Sequence, residues 1–177
     1  MKVVLYMAMT ANGIIAKEDD DTSFVSKAEW KSFRAMIRRT GNMVIGRRTY
    51  EIMRKADEFA GLDKVKIVVV THDISLKGDT TNIIFTSKQP KEVLRLLKKE
   101  GFSKVLIAGG SALNASFMKE NLVDEVYLDV EPAVFGKGIR LFAEADFEAK
   151  LRLLEIRKLS KNVIHLHYAV VKTVRKT

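Results

Sequence analysis

Apolar positions along this chain change period several times, and each change marks an element. Residues 2–9 read as a first strand, closed by the turn Thr10-Ala11-Asn12-Gly13, where Asn-Gly supplies the tightest point. Ile14-Ile15-Ala16 returns briefly to extended chain before the polar loop Lys17 to Thr22. Ser26 has the position of a helix N-cap, and Glu29, three residues on, completes a capping box. Trp30, Phe33, Met36 and Ile37 then recur at helical spacing until Gly41, after which 42–45 is a short apolar strand. Beyond Gly46 the helical pattern Tyr50, Met53, Arg54, Asp57 begins almost at once. Val65 to Val70 is apolar but for Lys66, as in strands buried on both faces of a parallel sheet, and Ile83-Ile84-Phe85 is a further short strand. Pro90 opens a helix with the apolar face Val93, Leu94, Leu96 and Leu97, and Gly101 caps it. Strand 104–107, helix 111–119 and strand 124–130 form another unit. Leu151 to Leu159 and Asn162 to Val171 are both extended with no helix between, which predicts an antiparallel pair.

Strands alternating with helices and ending in a hairpin predict an α/β fold with a mostly parallel central sheet and an antiparallel C-terminal edge. No repeat, low-complexity stretch or linker divides the 177 residues, so we expect one domain. In such sheets ligands lie beyond the carboxyl ends of the strands.

Composition narrows the chemistry. The absence of cysteine removes disulfides and thiolate catalysis, and no apolar run is long enough to span a bilayer. A cytoplasmic protein is expected. The net charge of +9 suits a polyanionic ligand, but the cations are dispersed through Arg38-Arg39, Arg47-Arg48, Lys98-Lys99 and the tail 172–176. They form no basic stripe interleaved with aromatics, so a small phosphate-bearing ligand is expected rather than nucleic acid or a membrane. His165 and His167 share a strand face at a metal-compatible spacing. Without a cysteine or a carboxylate nearby in sequence, we read that face as polar and exposed and expect no metal.

Two strand-to-helix junctions carry the candidate chemistry. In Ile107-Ala108-Gly109-Gly110-Ser111-Ala112-Leu113-Asn114 a strand ends in paired glycines and a helix follows. Glycines there allow backbone to approach a ligand closely, and the helix N-terminus favours an anion. The second junction, Val44-Ile45-Gly46-Arg47-Arg48-Thr49-Tyr50, puts two arginines in a first helical turn, where the helix dipole disfavours cations. An anion held between that N-terminus and the guanidinium forks would turn the penalty into a gain.

These junctions resemble the two cofactor-binding junctions of dihydrofolate reductases. Ala108-Gly109-Gly110-Ser111, Phe117-Met118, Leu122-Val123-Asp124-Glu125, Pro132, Phe135-Gly136-Lys137-Gly138 and Leu141-Phe142 are similar to a relative of theirs, the reductase domain of bifunctional riboflavin-biosynthesis enzymes and its stand-alone homologues. Ala8-Met9-Thr10-Ala11-Asn12-Gly13-Ile14-Ile15-Ala16 resembles both. The resemblance implies a dihydrofolate reductase-like three-layer fold, NADPH, hydride transfer to a heterocyclic or ribosylaminopyrimidine substrate, and a homodimer. Val163, Ile164, Leu166, Val170 and Val171 would offer apolar surface for that dimer.

Carried over by position, Ala8, Ile15 and Ala16 would flank the nicotinamide. Gly46, Arg47, Arg48 and Thr49 would hold phosphates, with an arginine favouring NADP, and Thr71 and Ser87 would meet the adenosine side. Ala108, Gly109, Gly110, Ser111 and Ala112 would bind the pyrophosphate, across a Gly-Gly bond that is cis in dihydrofolate reductases. The Asp-Pro-x-Leu segment that riboflavin-type reductases use for ribose phosphate is replaced by Glu51-Ile52-Met53-Arg54. Phe33, Ile37, Ile52 and Met53, with Met36, would form an apolar slot or serve as ordinary core. Glu29 is the first candidate for a catalytic proton group, against a purely structural role in the capping box. Asp129 is the second, against a solvent-facing strand position. A dihydrofolate reductase and a nucleotide-binding protein without turnover are the alternative functions.

Overall fold

A computed structural model describes residues 1–172 except 74, 77 and 79, so the basic tail beyond Lys172 lies outside the described residues. In chain order the elements are β1 (Lys2–Thr10), β2 (Ile14–Ala16), α1 (Lys27–Thr40), β3 (Asn42–Gly46), α2 (Arg47–Lys55), β4 (Lys66–Val70) and β5 (Ile83–Thr86). They continue with α3 (Pro90–Lys99), β6 (Lys104–Ile107), α4 (Ser111–Lys119), β7 (Glu125–Glu131), β8 (Ile139–Arg140), β9 (Lys150–Lys158) and β10 (Ile164–Val171). Eight strands form one sheet in the order β5-β4-β3-β6-β1-β7-β10-β9. The first six run parallel and the terminal hairpin adds the antiparallel edge, as the alternation of elements predicts. The short β2–β8 pair beside this sheet has too few residues to show a period in the sequence.

Strand alternation divides the core into two layers. Val3 and Leu5 of β1 face Val93 and Leu97 of α3 and Leu113 and Phe117 of α4. Val4 and Tyr6 face the other way, toward Met36 and Ile37 of α1 and Tyr50 and Met53 of α2. Helices therefore cover both faces, which is why β3, β4 and β6 carry unbroken apolar runs.

Helix boundaries follow local chemistry. Ser26 Oγ accepts the Glu29 N–H of α1 at 3.2 Å, and Gly41 ends that helix at φ 72°, returning its N–H to Ile37. α2 starts directly at Arg47 and stops at Lys55, two residues before Asp57, which sits at φ 53°.

Three sequence expectations fail here and one open alternative, for Ile37, is decided, each for a tertiary reason. Asp129 is not solvent-facing: β7 lies between β1 and β10, and its carboxyl is 0% exposed. His165, directly opposite Asp129 on β10, is 2% exposed rather than on an open polar face, and His167 is half-buried with its ring stacked 3.9 Å from that of Tyr127. Ile37 is fully enclosed between α1 and the sheet and belongs to the core. Val163 and Val170 are buried as well, leaving Ile164 and Val171 as the exposed apolar residues among the five named for a dimer.

Candidate active site

β3 and β6 are parallel neighbours, so their glycine-ended junctions meet. The Gly46 N–H donates to Gly109 O at 2.8 Å, joining the two turns. The Gly109–Gly110 peptide bond is cis, and Gly109 has φ 89°. A Cβ on Gly109 would lie 2.9 Å from Met7 Sδ, and one on Gly110 would lie 3.2 Å from Thr49 Oγ1. Only glycine keeps this backbone bare. Among the described residues no side chain caps α2 or α4, whereas Ser26 caps α1, so both open N-termini have first-turn N–H groups available to an anion.

Both N-termini open onto one cavity of about 880 Å³. Gly46, Arg47, Arg48, Thr49, Thr71 and Ser87 line one side, and Ala108, Gly110, Ser111 and Ala112 the other. Ala8, Ile15 and Ala16 complete this half, while Gly109 lies just behind the wall. The two arginines are not uncompensated, as their position in the helix suggests. Arg47 Nε donates to Glu51 at 2.8 Å and Arg47 also contacts Asp73 at 3.2 Å. Arg48 pairs with Asp20 and donates to the Glu18 carbonyl at 3.0 Å. Glu51 is one helical turn on, but Asp20 and Asp73 come from other loops.

The rest of the cavity includes apolar and acidic residues in its lining. Phe33, Ile52 and Met53 line it as the sequence suggests, joined by Trp30, while Ile37 does not reach it. Glu29 opens into it from the first turn of α1, yet is only 3% exposed. Its carboxyl does not close the expected capping box. The Ser26 N–H donates instead to Glu131 Oε1 at 2.9 Å, so one acid, from β7, completes the cap and the Glu29 carboxyl is left out of it. That carboxyl makes no hydrogen bond or ion pair among the described residues. Burial, and then the charges of Asp129, Glu131 and Glu58, push Glu29 up to about 9. Burial likewise raises Glu58, against the opposing charge of Arg34.

Beside Glu29 runs a buried polar chain. Tyr6 Oη donates to Asp129 Oδ2 at 2.5 Å and lies 2.9 Å from Ser32 Oγ, which is therefore its donor, since a phenol has one proton to give. Asp129 Oδ1 is 2.5 Å from His165 Nδ1. Burial and the neighbouring Asp129 raise the Tyr6 hydroxyl well above the ordinary phenol range. Tyr6 also forms part of the cavity wall.

Sequence reasoning missed Tyr6, Glu58, Glu131 and His165. Tyr6 alone left a signal, a hydroxyl-bearing ring on the same strand face as Val4. The others enter through strand register and loop packing, which leave no local pattern.

Comparison with known proteins agrees with this architecture. Residues 1–165 match the family described as the RibD C-terminal domain. The uncharacterized protein YwjB of Bacillus subtilis is 32% identical over 171 residues, covering 94% of this chain and 97% of its own. A candidate riboflavin biosynthesis protein of Shewanella sp. PV-4 superposes with a TM-score of 0.83 at 18% identity, over 97% of this chain and 100% of that one. The Thermotoga maritima diaminohydroxyphosphoribosylaminopyrimidine deaminase/5-amino-6-(5-phosphoribosylamino)uracil reductase superposes at 0.75 with 16% identity, over 96% of this chain and 56% of that one. At these identities the two structures speak for the fold, while the sequence match speaks for descent. The chain belongs to the RibD C-terminal domain family, with a dihydrofolate reductase-like α/β fold.

Proposed function

We propose that this chain is an NADPH-dependent reductase, one domain that adds a hydride to an imine-containing heterocycle or ribosylaminopyrimidine. The observation that carries the reading is one cavity lined both by a bare backbone turn between two open helix N-termini and by a buried carboxyl that has no partner among the described residues. The residues present fit the cofactor. A dinucleotide diphosphate would satisfy the open N-termini of α2 and α4, and the side-chain-free Gly109–Gly110 backbone would let it approach. Arg47 and Arg48 stand at the cavity edge, where a 2′-phosphate would compete with Glu51, Asp73 and Asp20 for them. Ala8, Ile15 and Ala16 present small or apolar surface to a nicotinamide. When bound, NADPH supplies the hydride, and the protein's task is to orient the acceptor, exclude water and supply a proton.

The acceptor would lie between Trp30, Phe33, Ile52 and Met53, with Glu29 as the group that meets its polar edge. A homodimer belongs to the same proposal. All nine residues of β9 are exposed at the sheet edge, including Leu151, Leu153, Leu154 and Ile156, a surface expected to be covered by a partner.

The deciding experiment measures NADPH binding and NADPH oxidation separately, with aminopyrimidines, their phosphoribosyl derivatives and dihydrofolate as acceptors. Oxidation with a phosphoribosylaminopyrimidine supports the proposal, and oxidation with dihydrofolate alone replaces it by the dihydrofolate reductase reading. Binding without oxidation of any acceptor leaves a nucleotide-binding protein.

A further inference from the structure

Among the described residues, the corner of the cavity beneath α1 holds more acid than cations to balance it. Around Glu29 stand Tyr6 from β1, Asp129 and Glu131 from β7, His165 from β10 and Glu58 after α2, with Lys27 on α1 itself and Arg34, also on α1, acting on Glu58. Arg34 is engaged elsewhere: it donates to the Ala60 carbonyl at 2.6 Å and lies over the Trp30 ring. Glu131 is committed to the Ser26 N–H.

Two acids close to each other in a low-dielectric corner do not share charge equally; the better-solvated one takes it. Asp129 has a hydrogen bond at each oxygen, from the Tyr6 hydroxyl and with the His165 ring, whose Nδ1–H donates when Asp129 is the anion, and the Tyr6 oxygen is in turn met by Ser32. Glu29 has none among the described residues, although only 3% of it is exposed and it opens into the cavity. The anion belongs on Asp129 and the proton on Glu29. We propose that the Tyr6–Asp129–His165 chain holds the negative charge of this corner, so that Glu29 faces the substrate as a neutral hydrogen-bond donor.

This rests on the reductase reading and makes it more specific. A neutral carboxylic acid seeks an acceptor, so the substrate presents an imine nitrogen at this point rather than a cationic amidine edge. In the reaction the C=N π bond breaks, hydride from the reduced nicotinamide forms the C–H bond, and the Glu29 proton forms the N–H bond. Glu29 is left as carboxylate beside the Asp129 charge, which favours its reprotonation from water before the next turnover. Glu29 touches substrate; Tyr6, Asp129 and His165 are positioning residues that act through it. The direction in which Glu29 titrates, upward through burial and the Asp129 charge, agrees with this division.

The test is the titration of the Glu29 carboxyl carbon by NMR in the full-length protein labelled at glutamate, without cofactor, the signal being identified by its loss in Glu29→Gln. Its midpoint is expected well above the ordinary glutamate value of about 4.3. Asp129→Asn should lower it by about one pH unit or more. His165→Leu should also lower it, whereas His165→Asn, whose amide takes the place of Nδ1–H, should restore it. If Asp129→Asn does not fold, Tyr6→Phe replaces it, because that change removes one of the two donors to Asp129 and keeps the ring. An ordinary midpoint in the wild type, or one that moves in none of these variants, overturns the proposal. With an active acceptor, the rate of hydride transfer should fall as pH rises through the same midpoint and shift with it in each variant. Absence of any NADPH oxidation would reject the reductase reading, and the titration would still decide the charge arrangement.

Discussion

The Ser26 N–H donates to Glu131 Oε1 at 2.9 Å, a bond from the start of α1 to the end of β7 that stands where a local capping box would have used Glu29. It ties the first turn of α1 to the central sheet and leaves Glu29 free. Glu131→Ala removes that acceptor and strands a partly buried N–H, so we expect about 1–3 kcal/mol of destabilisation, measured by urea unfolding. A change within error would mean that water replaces Glu131 without penalty.

Glu29 gives a stability prediction with a definite sign. Its pKa is raised on folding, so the native state keeps a proton that the unfolded chain has lost between about 4.3 and about 9. Stability contributed by the protonated form is complete below the unfolded value and declines across that interval, with a limiting slope of about 1.4 kcal/mol per pH unit. Glu29→Gln cannot lose a proton, so it should gain on the wild type steadily from pH 5 to pH 8. Parallel stability curves for the two proteins would contradict a protonated Glu29.

Arg47 and Arg48 are expected to read the 2′-phosphate of the cofactor. Replacing both with alanine should weaken NADPH binding by at least tenfold and NADH binding much less, since charge-assisted contacts to a phosphate are worth about 1.5–3 kcal/mol. Equal losses for the two cofactors in fluorescence titrations would assign these arginines only to their partners Glu51, Asp73 and Asp20.

Gly110 leaves room for backbone alone. A side chain there would place its Cβ 3.2 Å from Thr49 Oγ1, in the wall of the proposed pyrophosphate site. For Gly110→Val we expect a folded protein whose melting temperature no longer rises with added NADPH. For a ligand at one hundred times its dissociation constant, the wild type should gain about 2.7 kcal/mol. A normal ligand-induced rise in the variant would exclude pyrophosphate binding at this turn.

Ile156, on the edge strand β9, is 59% exposed and is expected at the centre of the dimer contact. Light scattering should report about twice the 20.0 kDa chain mass for the wild type and the chain mass for Ile156→Glu. A monomeric wild type at micromolar concentration would remove the dimer from the proposal.

The alternation of periods along the chain determined the parallel sheet, the helices between its strands and the terminal hairpin, because each depends on spacing within a few residues. The bare Gly109-Gly110 turn and the position of Arg47 and Arg48 in a first helical turn were legible for the same reason, and the structure brings these residues to one cavity. The burial of Asp129 and His165, the pairing of Arg48 with Asp20 and the transfer of the Ser26 cap to Glu131 were decided by tertiary structure alone. Asp129 illustrates why. As a carboxylate near the end of a strand it has the local pattern of a solvent-facing residue. The strand order puts β1 on one side of it and β10 on the other, so that Tyr6 and His165, 123 and 36 residues away in sequence, supply the donors that an anion needs when water is excluded. Local spacing encodes the elements. Which buried acid keeps its charge depends on partners that only the assembled sheet brings within hydrogen-bond distance.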